Sequence, residues 1–225
     1  MWVGHYASGL VAKPFAPGIP LSILCLAGVA PDALFFVLNF LGLESFNLDL
    51  GIANGSGGCF PYTNDYPWSH SLAGMGVAGA LLAFAYKSLR PHARVSAGDA
   101  AVIVLAALSH FLLEWPVHRA DVKITPHGDA AYGAGLFDYP LVTFLAEVAI
   151  FGAGLLAYTR LSPMVCRTGY LVHPNRLPAL VVFIVVQQAH FCFGAAPTTE
   201  TRWVHAPLFL GEILGTCWLL GKLES

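Results

Sequence analysis

Charge is the scarcest commodity in this sequence. Only 11% of its 225 residues are Asp, Glu, Lys or Arg, against about 25% in a soluble domain. The net charge of −2 leaves no basic patch, which excludes nucleic acid as a partner. The five cysteines (Cys25, Cys59, Cys166, Cys192, Cys217) contain no C-x-x-C pair. They offer neither a disulfide framework nor a zinc–thiolate site. Residues 1–16 lack a basic stretch followed by an apolar one, so no cleaved signal peptide is expected. No internal repeat or low-complexity tract is evident, and the Gly-rich stretch Gly51–Gly58 reads as loop.

What the sequence has instead is apolar surface. Hydrophobic residues make up 56% of the chain, and mean hydropathy is +0.66. Six apolar stretches stand out, at 19–42, 71–90, 98–116, 136–160, 177–196 and 206–221. A spanning helix needs about 20 apolar residues; the third and sixth stretches are the shortest. The pattern predicts an all-α fold: a polytopic membrane helical bundle of about six transmembrane helices, forming a single membrane-embedded domain over 1–225. Residues 2–12, ahead of Pro14, Pro17 and Pro20, read as a short interfacial or re-entrant helix.

Loop charges orient this arrangement. Lys13, Lys87, Arg90, Arg94, Arg160, Arg167, Arg176 and Lys222 fall on one side, and Arg119, Lys123 and Arg202 on the other. The bias places both termini in the cytoplasm. Segment 43–69 has no Lys or Arg and reads as an outside loop or lid. Its Tyr62, Tyr66 and Trp68 suit the bilayer interface.

Ionisable groups inside apolar stretches carry the chemistry. A charge at the bilayer centre costs at least about 2.5–3.5 kcal/mol, so such residues are paired and usually functional. Asp32 follows Pro31 in LSILCLAGVAPDALFFVLNF, where the proline loosens the helix. His110 and Glu114 in VLAALSHFLLEWP are four apart and share a helix face. His70 stands between Ser69 and Ser71, and His5 lies in WVGHYASG. Three histidines and two carboxylates suit zinc, manganese, iron or nickel better than calcium. A cation would also let Asp32 and Glu114 stay ionised in a low-dielectric site. The rival reading is structural: an intramembrane histidine also hydrogen-bonds neighbouring helices.

Glu147 and Glu212 are further carboxylates within apolar stretches. Gln187, Gln188 and His190 read as an interhelical hydrogen-bonding patch. His92, His127, His173 and His205 read as solvated loop residues.

The order GHY, PD, WSHS and SHFLLEW resembles bacterial integral-membrane proteins classed as membrane-bound metal-dependent hydrolases. These carry an N-terminal His, a Pro-Asp after an apolar stretch, a Thr-His-Ser, and a Ser-His with a carboxylate four residues on. One branch looks closer still, with a Tyr-Pro-Tyr-Thr-His-Ser-like segment and a Val-His-Arg-Pro-Asp-like run. Here these appear as DYPWSHSL and SHFLLEWPVHRAD. The resemblance covers residues 2–150. It implies His5, Asp32, His70 and His110 as metal-site positions. Glu114 stands where the family usually has Asp, one methylene longer. Trp68-Ser69 replaces Tyr-Thr, and Ala120 stands where Pro is common. His118 and Asp121 match the branch, and with Ser69 and Ser71 they are expected to support the ligands or touch substrate.

The leading expectation is a hydrolase dependent on a divalent metal ion, zinc first, acting on a lipid-like or amphiphilic substrate. His5, Asp32, His70, His110 and Glu114 are its candidate ligands. Glu114, Asp32 and Glu147 are its candidate catalytic carboxylates. Two alternatives stand beside it. One is an isomerase or cyclase of an isoprenoid-like substrate that uses a protonated carboxyl group. The other is a non-enzymatic metal or proton carrier, or a structural membrane subunit. With this orientation His5 begins on the cytoplasmic side, so either the first segment re-enters the bilayer, or His5 is not a ligand, or the orientation is reversed.

Overall fold

A computed structural model of the chain describes residues 2–54, 59–90, 95–194 and 200–225. The chain begins with a 3-10 turn (Val3–His5) that leads into α1 (Tyr6–Ala12). Next come α2 (Leu21–Gly28) and α3 (Ala30–Leu41), then strand β1 (Ser45–Leu48), the short α4 (Leu50–Asn54) and β2 (Tyr62–Asp65). Helices α5 (Leu72–Leu89) and α6 (Ala97–Val117) follow, then the two-residue strands β3 (Val122–Lys123) and β4 (Ala131–Tyr132). A 3-10 turn (Leu136–Asp138) leads into α7 (Pro140–Leu161), and a second (Met164–Arg167) into the short α8 (Thr168–Val172), followed by α9 (Arg176–Phe193), a π-helical turn (Thr201–His205) and α10 (Ala206–Gly221). The only sheets among the described residues are two small antiparallel pairs, β1–β2 and β3–β4.

By length and composition, five helices are apolar enough to cross a membrane: α5, α6, α7, α9 and the continuous Thr201–Gly221. Helices α2 and α3 are apolar enough only as a pair, bent by 67°, and add a sixth if the pair is one broken span. Polarity is distributed inside out. Phe84, Leu105, Leu112 and Val186 are exposed, whereas His5, His110, Glu114 and Glu147 are fully buried. Water would penalise such a surface and lipid would not.

The single apolar stretch 19–42 is thus two helices. Pro31 has no N–H to donate to the Ala27 carbonyl, so the ladder breaks at Val29 and restarts with Pro31 in the first turn of α3. The break places Asp32 in that first turn, where unpaired amides favour a negative charge.

Residues 3–28 form a helical hairpin. Helix α1 runs away from His5, turns through 13–20, and α2 returns beside it. The approach is close enough to require glycine: a Cβ on Gly9 would overlap the Leu24–Cys25 backbone, and one on Gly28 the His5 carbonyl. Buried Lys13 closes the turn, donating to the carbonyls of Pro17 (3.0 Å) and Ile19 (2.5 Å). Its ammonium also pairs with Glu224 at 2.5 Å. Helices α6 and α7 pack on α1, and α6 and α10 on α2.

The described residues of segment 43–69 are folded. Phe46 of β1 is buried against Phe35 of α3 and Tyr62 of β2, so the β1–β2 hairpin covers one end of α3. Residues 55–58 of the Gly-rich stretch, and His92, lie outside the described residues. His127 and His173 are exposed, as expected, but His205 is fully buried, 3.1 Å from the Tyr62 hydroxyl.

Candidate metal centre

Helix α6 supplies the spine of the site. Ser96 and Asp99 start it with reciprocal cap hydrogen bonds, and Ile103, Ala106, Ala107, His110, Glu114 and Val117 form its buried stripe. His118, at the C-cap, lies one further turn along the same face. Asp32 comes from the first turn of α3, His5 from the turn before α1, and His70 from the residues leading into α5.

These side chains converge. Asp32 Oδ2 lies 3.1 Å from His5 Nδ1, and Asp32 Oδ1 lies 3.3 Å from His70 Nε2 and 3.6 Å from His110 Nε2. Glu114 Oε1 lies 2.9 Å from His5 Nε2 and 3.7 Å from His110 Nε2. Its other oxygen, Oε2, faces His118 Nε2. The His5 and His110 rings stack with centroids 3.8 Å apart. Ligand atoms of His5, Asp32, His110 and Glu114 all lie within 4.8 Å of one another, and the same holds for His70, Glu114 and His118. These buried groups could hold a metal ion, since imidazole nitrogens and carboxylate oxygens at this density are what a divalent cation gathers. Without a cation, two carboxylates would share one buried pocket.

Three histidines are fixed by their rear nitrogen. His110 Nδ1 donates to the Gly28 carbonyl at 2.9 Å. Ser69 donates its hydroxyl proton to Glu44 Oε2 (2.6 Å) and so accepts from His70 Nδ1 (2.9 Å). His118 Nδ1 donates to Asp121 Oδ1 at 2.9 Å and lies 2.9 Å from the Tyr66 hydroxyl. In each case Nε2 is left to face the carboxylates, which is how ligating histidines are oriented.

Electrostatics at the outer edge follow from these contacts. Burial opposes a proton on His118, but the facing Glu114 and Asp121 outweigh it and push the imidazole pKa up to about 9. Burial likewise opposes ionisation of Asp121, yet its hydrogen bond to His118 holds the carboxyl below its ordinary value.

All five expected ligands therefore meet, and Ser69, His118 and Asp121 stand directly behind or beside them. Ser71 does not: its hydroxyl accepts from the Gly74 amide and caps α5. Glu147, expected among the catalytic carboxylates, belongs to neither ligand group. It accepts from the amides of Trp2 (2.9 Å) and Gly4 (2.8 Å) and anchors the turn that carries His5. Glu212 accepts from Gln187 Nε2 at 2.7 Å, an interhelical contact of the expected kind. Glu44 went unnoticed in the sequence. It is buried, accepts from the Trp68 and Ser69 amides at 2.7 and 2.9 Å, and organises the approach to His70. Its one signal is that it is an acid in a segment without Lys or Arg.

Beside the site lies a cavity of about 30 Å³, room for one or two waters. Asp32, His70 and His118 border it, with Trp2, Phe35, Phe60, Tyr66 and Phe137 among its aromatic walls.

No family model matches the chain, and neither does any curated protein or solved structure.

Proposed function

We propose that this chain is a multi-pass membrane protein with both termini in the cytoplasm, a re-entrant segment at 2–12 and about six spans. In this reading it is a metal-dependent hydrolase acting on a lipid-like or amphiphilic substrate. One observation carries the chemistry: four fully or nearly buried ligand residues, His5, Asp32, His110 and Glu114, present donor atoms within 4.8 Å of one another among apolar helices. The order of short motifs shared with membrane-bound metal-dependent hydrolases supports the same reading.

Zinc is the cation this donor set suits best. When bound there, it would lower the pKa of a water toward about 7 and polarise a carbonyl or phosphoryl oxygen. The chain's own residues do the rest. His110, His70 and Glu114 are held rigid by the Gly28 carbonyl, the Ser69–Glu44 pair and the α6 backbone. Glu114 is fully enclosed, whereas Asp32 borders the cavity. Asp32 is thus better placed than Glu114 to take a proton from an attacking water. Asp32 is placed to return that proton to the leaving group. The mainly aromatic walls around the reacting groups suit an apolar substituent next to the scissile bond. Acid catalysis by a protonated carboxyl suits the site less, because Asp32 and Glu114 each face three imidazole nitrogens.

The test is turnover of phospholipids, polyprenyl phosphates and aryl esters in mixed micelles by purified protein. Activity that disappears on chelation and returns with Zn2+ is the expected result. A fully chelated preparation with undiminished turnover would refute the proposal.

A further inference from the structure

The site contains more ligands than one ion accepts. A tetrahedral zinc takes four, yet His5, Asp32, His70, His110, Glu114 and His118 all face inward here. The two oxygens of Glu114 point to different partners: Oε1 to His5 and His110, Oε2 to His118. Asp32 does not divide in this way, since Oδ2 faces His5 and Oδ1 faces both His70 and His110. A carboxylate such as Glu114, with one oxygen toward each of two ligand sets, suits a pair of ions about 3.5–4 Å apart.

Charge agrees with this division. Asp32 and Glu114 alone balance a single divalent ion. Two further carboxylates stand behind the second set and not the first: Asp121 on His118 Nδ1, and Glu44 through Ser69 on His70 Nδ1. His110, in the first set, is backed by the neutral Gly28 carbonyl. Four negative charges match two divalent cations, and the additional pair lies where a second cation would need it.

We propose that His70, His118 and Glu114 form a second ion position, bridged through Glu114 to the one formed by His5, Asp32, His110 and Glu114. This rests on the metal-dependent reading above and extends it. The two positions differ in degree of access. The second has His70 and His118 on the aromatic cavity, whereas the first reaches it through Asp32 alone, with His5, His110 and Glu114 enclosed. The second position is therefore the more open to substrate, and an open position is what separates catalytic from structural zinc sites. A substrate oxygen of an ester or phosphoester would meet the second position from this cavity, which has room for one or two waters.

The test is ion stoichiometry, read without any substrate. Full-length protein in detergent is stripped with chelator, dialysed against buffered Zn2+, and its zinc counted per chain. Wild type should bind two equivalents, and His70→Ala and His118→Ala one each. Loading with Mn2+ should give the exchange-coupled electron paramagnetic resonance signal of a bridged pair, absent from both variants. Should one variant fail to fold, the other and the wild-type count still decide. Wild type saturating at one equivalent, or either variant keeping two, overturns the second position while leaving a one-ion hydrolase standing. No bound zinc at all overturns both.

Discussion

Helices α6 and α7 are alike in length and apolar character. They have 21 and 22 residues, and each buries one glutamate completely. Read as sequence, Glu114 and Glu147 invite the same suspicion. In the structure Glu114 faces imidazoles of His5, His110 and His118, and Glu147 faces backbone amides of Trp2 and Gly4. The first environment can replace its protons with a cation. The second can only hold a segment in place. A buried carboxylate is informative through the donors that meet it, and those come from elsewhere in the chain.

The largest effect should come from exchanging the two glutamates for their amides. Glu114→Gln should abolish zinc retention, measured by elemental analysis of purified protein, because it weakens a ligand common to both sets. Glu147→Gln should keep its zinc but lower the thermal midpoint, since charge-assisted hydrogen bonds are worth about 1.5–3 kcal/mol. If E147Q loses zinc as E114Q does, the contrast fails.

A step smaller is the contrast between support and capping. Asp121→Asn should weaken zinc binding by about 10–100-fold, the usual effect of losing a partner behind a ligand. Ser71→Ala should cost about 1 kcal/mol of stability as a lost cap and leave zinc affinity untouched, both readable by competition with a chelating dye and by thermal melts.

The metal-free protein offers a pH test. The His118 pKa rises from 6.5 to about 9 on folding. Its contribution is complete below about 6.5 and is lost as pH rises through 9. Chelated wild type should therefore melt earlier at about pH 10 than at about pH 6, and chelated His118→Asn should show a flatter dependence. The smallest effect belongs to α9 and α10: Gln187→Ala breaks the 2.7 Å contact with Glu212 and should cost about 0.6 kcal/mol, typical of interhelical hydrogen bonds in membranes.

Much of the scaffold was legible because spanning helices announce themselves locally. The stretches expected at 71–90, 98–116 and 177–196 appear as Leu72–Leu89, Ala97–Val117 and Arg176–Phe193. The bend between α2 and α3 was legible only as the loosening effect of Pro31. Its 67° angle depends on what α2 packs against. Asp32, His110 and Glu114 stood out because ionisable groups are expensive in apolar stretches, and His5 and His70, outside those stretches, through the GHY and WSHS motifs. Glu44, 25 residues from Ser69, and the burial of His205 under Tyr62 did not, since both arise from tertiary contacts made by ordinary loop residues. The β1–β2 hairpin was hidden for the same reason: Ser45–Leu48 has no strong strand pattern until Phe46 finds Phe35.

The hairpin of α1 and α2 imposes an order of assembly. The turn carrying His5 is secured by Glu147, which is synthesised 145 residues after Trp2, and by Gln188, 185 residues after Val3. Until α7 and α9 have entered the bundle, that turn lacks the two side chains that accept from its amides. Under the metal-dependent reading, ion capture would then be a late event of biogenesis, and a ribosome-stalled fragment ending before α7 should emerge without zinc.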